Sequence, residues 1–129
     1  MHLVQCKDQR GTSLEEFYDF ARKYQPELAV AMLDLVATLR GVKEARQAYV
    51  LTSHLRLVLL AQDDYRSPWW VIAEPVGDGR FAVEQLVPEE PDRPLRTEAR
   101  TAKKAVKLIL KAMDRSGGWT ASTKEAASR

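Results

Sequence analysis

The sequence holds one cysteine, Cys6, and two histidines, His2 and His54. A lone cysteine excludes an intramolecular disulfide and any zinc site built on paired thiolates. It suits a reducing compartment. The histidines and scattered carboxylates show no metal-ligand spacing, and no G-x-x-x-x-G-K-[ST] phosphate loop is present. A G-x-S-x-G nucleophile elbow is also missing, and Ser53 and His54 are neighbours that would point apart on a strand. No apolar stretch approaches the roughly 20 residues of a membrane helix. The opening residues MHLVQCKDQRG lack the apolar core of a signal peptide. The expectation is a soluble, cytoplasmic, non-enzymatic protein with no metal, no cofactor and no membrane contact.

What is present fits one small folded domain. A chain of 129 residues suits one core, and 45% hydrophobic with 29% charged residues excludes disorder of the whole. The net charge of +2 predicts little attraction to polyanions, but its distribution is uneven. Arg96 to Arg115 holds seven Lys/Arg and two acids, and Gln62 to Leu95 holds three Arg and eight acids, so the segments carry +5 and −5. Either they face each other or they present opposite charges to different partners.

Residues 1 to 12 leave open whether they form a tail or an edge strand. Ser13 and Glu16 then make an S-x-x-E capping box before Leu14, Phe17, Tyr18, Ala21 and Tyr24 at helical spacing. Pro26 starts a second helix that runs to Arg40, with Gly41 as its stop. That helix is apolar on nearly all sides, so it is either central in the core or half of a subunit interface. The interface alternative predicts a homodimer through Leu33 and Val36. From Ala48 to Val87 the texture is β: AYVLTSHLRLVLLAQ with a bend near Ser53 and His54, WWVIAEP from Trp69, and RFAVEQLV from Arg80 after the turn Gly77-Asp78-Gly79. Trp69 and Trp70 are adjacent on a strand and should face opposite ways, one of them a possible partner anchor. PEEPDRP follows as an acidic proline-rich loop. The predicted fold is α+β: two N-terminal helices, a three- or four-stranded antiparallel sheet and a C-terminal amphipathic basic helix, in one domain over 1–118 with a disordered tail over 119–129.

The sharpest feature is Arg96 to Arg115, RTEARTAKKAVKLILKAMDR. At about 100° per residue, Arg96, Arg100, Lys103, Lys104, Lys107, Lys111 and Arg115 share roughly a third of a helix circumference. Ala99, Ala102, Ala105, Val106, Ile109, Leu110 and Met113 lie opposite. The seven cations are the candidate binding face, either for backbone phosphates or for an acidic protein surface. A solvated face is the plain alternative. With Lys103-Lys104 near its start, the order helix–strands–helix resembles the double-stranded-RNA-binding domain, in element order only. The resemblance implies a basic pair reaching phosphates across a groove. The acidic PEEPDRP and the extra apolar helix depart from that pattern.

With no reaction motif, the composition suits a small binding or regulatory protein of inhibitor, immunity or accessory type. Its expected partner is a protein or a second copy of itself. Weak nucleic-acid binding through the basic helix is the alternative.

Overall fold

The β-rich middle of the chain is a meander whose turns are set by residues visible in the sequence. A computed structural model describes residues 1–9, 11–116 and 118–119. Its elements are β1 (His2–Gln5), α1 (Leu14–Ala21), α2 (Pro26–Arg40), β2 (Gln47–Ser53), β3 (Arg56–Leu60), β4 (Trp70–Gly77), β5 (Arg80–Gln85), β6 (Leu95–Ala99) and α3 (Ala102–Ser116). β2 and β3 reverse at His54-Leu55, so Ser53 pairs with Arg56. β4 and β5 reverse at Asp78-Gly79, with Gly77 opposite Arg80. Asp78 and Gly79 both have positive φ, 54° and 71°, the geometry that makes Asp-Gly a favoured two-residue hairpin.

The expected three- or four-stranded antiparallel sheet is corrected to a six-stranded mixed sheet in the order β1-β2-β3-β4-β5-β6. Two strands account for the difference. β1 lies parallel to β2, with His2 opposite Gln47 and Gln5 opposite Val50. A parallel pair needs a long crossover, and α1 and α2 supply it. β6 adds antiparallel to β5, with Ala99 opposite Phe81 and Leu95 opposite Gln85. The element order therefore departs from the double-stranded-RNA-binding pattern at both ends of the sheet.

The basic helix is also shorter than expected. Pro94 precedes a stretch with only Ala99 buried, too little apolar surface to hold a helix on the sheet. The helix starts at Ala102 because Thr101 caps it: its hydroxyl accepts the Lys104 N–H at 3.1 Å and its carbonyl accepts the Ala105 N–H at 3.0 Å. Ser13 plays the same part for α1, accepting the Glu16 N–H at 3.2 Å.

All three helices cover one face of the sheet. Leu3, Ala48, Val50, Leu57, Leu59, Val71, Ala73, Phe81, Val83 and Ala99 meet Leu14, Tyr18, Met32, Leu35, Val36, Leu39, Ile109 and Met113 in one core. α2 sits centrally, against α1, α3 and β4. Met32, Leu35 and Leu39 are fully buried, each stabilising by roughly 1.5–3 kcal/mol. The Tyr18 hydroxyl donates to the Leu55 carbonyl at 3.1 Å and ties α1 to the β2–β3 turn. Cys6 is 1% exposed, and burial pushes its thiol pKa up, which suppresses thiolate chemistry. Trp119, assigned from sequence to the tail, packs on the core and donates from Nε1 to Ser116 Oγ at 2.8 Å. Residues 120–129 of that expected tail lie outside the described residues. No helix among the described residues is long and apolar enough to cross a membrane.

Candidate functional site

The folded chain separates the seven candidate cations. Lys103, Lys104, Lys107, Lys111 and Arg115 stay on the exposed side of α3, opposite buried Ala102, Ala105, Val106, Ile109, Ala112 and Met113. Arg100 is exposed just before the Thr101 cap. Arg96 does not belong with them. It lies on β6 opposite Glu84, on the sheet face away from the helices, and its guanidinium contacts Glu74 at 2.5 Å and Glu84 at 3.8 Å. The charge spacing that placed Arg96 on the helix was coincidental, since an exposed charge satisfies either period.

Among the described residues the remaining cations, Arg100, Lys103, Lys104, Lys107, Lys111 and Arg115, form no ion pair. The one acid of α3, Asp114, is held by Arg46 at 2.6 Å. The first turn of α3 holds no acid, whereas α1 and α2 carry Glu15, Glu16 and Glu27 there. Lys103 and Lys104 thus stand at the positive end of the helix dipole, a placement that costs a few tenths of a kcal/mol or more for each cation.

A groove runs between this helix and β6. α3 returns antiparallel to β6, so Ala99 lies near Lys104 and Leu95 near Arg115. One part of the groove, about 380 Å³, is bounded by Glu98, Ala99, Arg100, Lys104, Lys107 and Leu108. The next, about 450 Å³, is bounded by Val83, Gln85, Leu95, Thr97, Leu108, Lys111, Asp114 and Arg115. It opens past Leu95 and Arg115 towards the 86–94 loop, where Glu89, Glu90 and Arg93 form the far wall. The acidic loop therefore closes one end of the groove rather than covering the cations. The floor residues Leu95, Thr97 and Leu108 were not foreseen. Their signal was the two-residue alternation Leu95-Arg96-Thr97-Glu98-Ala99 after Pro94.

β6 is the outermost strand on this side of the sheet. Leu95, Arg96, Thr97 and Glu98 are exposed, and no backbone hydrogen bond among the described residues satisfies the strand's outer edge. Such an edge is a template for a further strand.

The other candidates fall elsewhere. Val36 is fully buried in the core and Leu33 is half-buried against it. Neighbouring α1, α3 and β4 cover much of the apolar circumference that suggested an interface. Trp69 and Trp70 are both half-buried, but Trp69 lies just before β4 rather than on the strand with Trp70, and both line one cavity with Leu86, Pro88 and Pro91. Trp69 lies against Gly118 after α3, and Trp70 lies on the open face, cross-strand from Leu60. That open face also carries half-buried Tyr49, Leu51, Val58 and Ile72. His54 sits exposed in the β2–β3 turn. Asp63 accepts the Lys7 N–H at 2.7 Å, and Asp64 lies 3.8 Å from the Lys7 ammonium, so both serve the contact between the β1 end and the β3–β4 loop. Among the described residues no cluster of metal-ligating side chains forms. Comparison with protein-family models, curated proteins and solved structures gives no match for this chain.

Proposed function

We propose that this chain is a small non-enzymatic binding protein, of inhibitor, immunity or accessory type, whose partner is another protein held at the α3–β6 groove. The observation that supports it is the juxtaposition of an unpaired strand edge with a row of unpaired cations. A strand edge offers backbone donors and acceptors that a polypeptide can match. The cations then add long-range attraction and choose among partners by charge. Lys103 and Lys104 at the positive end of α3 favour a binding role over a merely solvated face, because a helix stabilised for its own sake would carry acids there.

Nucleic acid is the second reading, favoured by the absence, among the described residues, of ion pairs at the five cations of α3. A straight helix follows a phosphate backbone only briefly, so roughly three or four phosphates would be neutralised. Each steepens the log–log salt slope by about 0.9 on duplex DNA, and non-specific dissociation constants lie near 10⁻⁴–10⁻⁶ M at physiological salt. The wall of Glu89 and Glu90 next to Arg115 opposes a continuous phosphate track.

The deciding experiment compares labelled polyglutamate with a labelled RNA duplex of equal charge at 0.15 M salt. Wild type and Lys104→Glu/Lys107→Glu are both titrated. Tighter binding of the polypeptide, lost in the double variant, supports the protein partner. Tighter binding of the duplex overturns it.

A further inference from the structure

We propose that the groove takes an extended acidic segment of its partner as a seventh strand, added to the free edge of β6. The proposal rests on the protein-partner reading above and specifies the partner's chemistry: a strand with acids at alternate positions.

Three features converge on this occupant. The first is the edge itself. β6 is unpaired on its outer side, and four of its five residues are exposed. An added strand would lie about 4.8 Å further out, bonded through its backbone.

The second is charge. Successive side chains of an added strand point alternately to the two faces of the sheet. One set would lie on the helix side, beneath Lys104, Lys107, Lys111 and Arg115. The other would continue the open face beside Arg96 and Glu98. Among the described residues, only the helix side presents cations without an ion pair along this edge, because Arg96 is already engaged by Glu74 and Glu84. The demand for acids therefore falls on every second residue. The intervening positions suit β-branched or small polar residues, which favour strands and carry no charge to meet Glu98.

The third is length. Lys104 to Arg115 spans about 16 Å along the helix axis at 1.5 Å per residue. An extended chain covers that in about five residues, which is the length of β6. Since α3 runs antiparallel to β6, the cations stay in step with the edge from Ala99 to Leu95. A helical ligand would leave the backbone edge unused. A duplex would meet the cations but not the strand.

The test uses the full chain, isotopically labelled, and a fluorescent peptide of about nine residues alternating glutamate with valine or threonine. Binding should perturb the amides of Leu95–Ala99 together with those of Lys104, Lys107, Lys111 and Arg115, and should slow hydrogen exchange along β6. A second peptide of identical sequence, N-methylated at alternate residues on its edge-facing side, keeps the charge but cannot donate to β6. It should bind at least tenfold more weakly. Lys104→Glu/Lys111→Glu, at exposed positions, should weaken the unmodified peptide at least tenfold while the remaining amide spectrum is preserved. Equal binding of the N-methylated and unmodified peptides would overturn strand addition and leave a protein-binding groove of another kind. So would absence of peptide binding in a chain that still binds polyglutamate. Displacement of the peptide by an RNA duplex at lower concentration would overturn the protein-partner reading as well.

Discussion

Arg96 reaches back across β5 to place its guanidinium 2.5 Å from Glu74 on β4. Its stem passes Glu84, directly opposite on β5, and the neighbouring Ala82 is small and buried. The pair and Glu84 form a short network on the open face, with Arg96 itself about half exposed. Exposed ion pairs contribute little, and small networks somewhat more. Arg96→Ala should therefore lower stability by about 0.5–1 kcal/mol in urea unfolding, with Glu74 and Glu84 left facing each other. It should leave peptide binding at the groove unchanged. A loss of binding as large as that of Lys111→Glu would show that Arg96 acts with the helix after all.

His54 occupies the first central position of the β2–β3 hairpin at φ 56°, and Leu55 does not share the positive φ. That pattern belongs to the turn in which glycine is preferred first. A non-glycine residue there carries about 1–2 kcal/mol of strain. Glycine would relieve it and lose part of the gain to the greater freedom of the unfolded chain. His54→Gly should raise stability by about 0.5–1 kcal/mol, read as a higher urea midpoint at unchanged slope. A lower midpoint would mean that the imidazole makes a contact worth more than the strain.

The turns and most caps were legible because each rests on a few adjacent residues. Ser13 with Glu16, Pro26 and Asp78-Gly79 fix local geometry whatever surrounds them. β6 was not legible because Arg96 and Arg100 extend the basic spacing of α3 backwards without a break. Exposed charges are tolerated at any period, and the decisive residue, the Thr101 cap, is easily passed over in T-A-K-K. β1 is only four residues long, and its parallel pairing depends on where α2 returns the chain, a tertiary fact. The apolar circumference of α2 was plain in the sequence. Whether its own neighbours or a second copy covered Val36 was not. The groove combined both difficulties: its cations were visible, its strand edge was not.

Glu15 and Arg40 join α1 to α2. The guanidinium donates to the carboxylate at 2.6 and 3.0 Å, and this hydrogen bonding holds the Glu15 pKa below its ordinary value. A carboxylate depressed in the folded state stabilises at pH values above its unfolded pKa, near 4.5. That contribution is lost as the pH falls through the lower folded value. Asp64, held well below the usual carboxylate range by Arg66, acts in the same direction. Stability should therefore begin to decline below about pH 4.5. Glu15→Gln should cost less than about 1 kcal/mol at neutral pH, since both side chains are substantially exposed. The gap between variant and wild type should close towards pH 3. A gap that is constant with pH would assign the effect to packing rather than charge.

Gly118 has φ 74°, and a Cβ there would overlap the indole of Trp69. Backbone and ring therefore pack directly where the chain leaves α3, next to the Trp119–Ser116 bond. Alanine meets two penalties: about 1–2 kcal/mol for the left-handed backbone, and displacement of a large, half-buried ring. Gly118→Ala should lower stability by about 2–3 kcal/mol. The site of the damage can be read with 5-fluorotryptophan, which gives separate fluorine resonances for Trp69, Trp70 and Trp119, assigned by Trp→Phe variants. The Trp69 resonance should move and broaden in Gly118→Ala. The Trp70 resonance should move less, because the Gly118 Cβ meets the Trp69 indole, whereas Trp70 is fixed by its pairing with Leu60 in the sheet. Equal movement of both resonances would show that the damage spreads into β4 instead of stopping at the Trp69 indole.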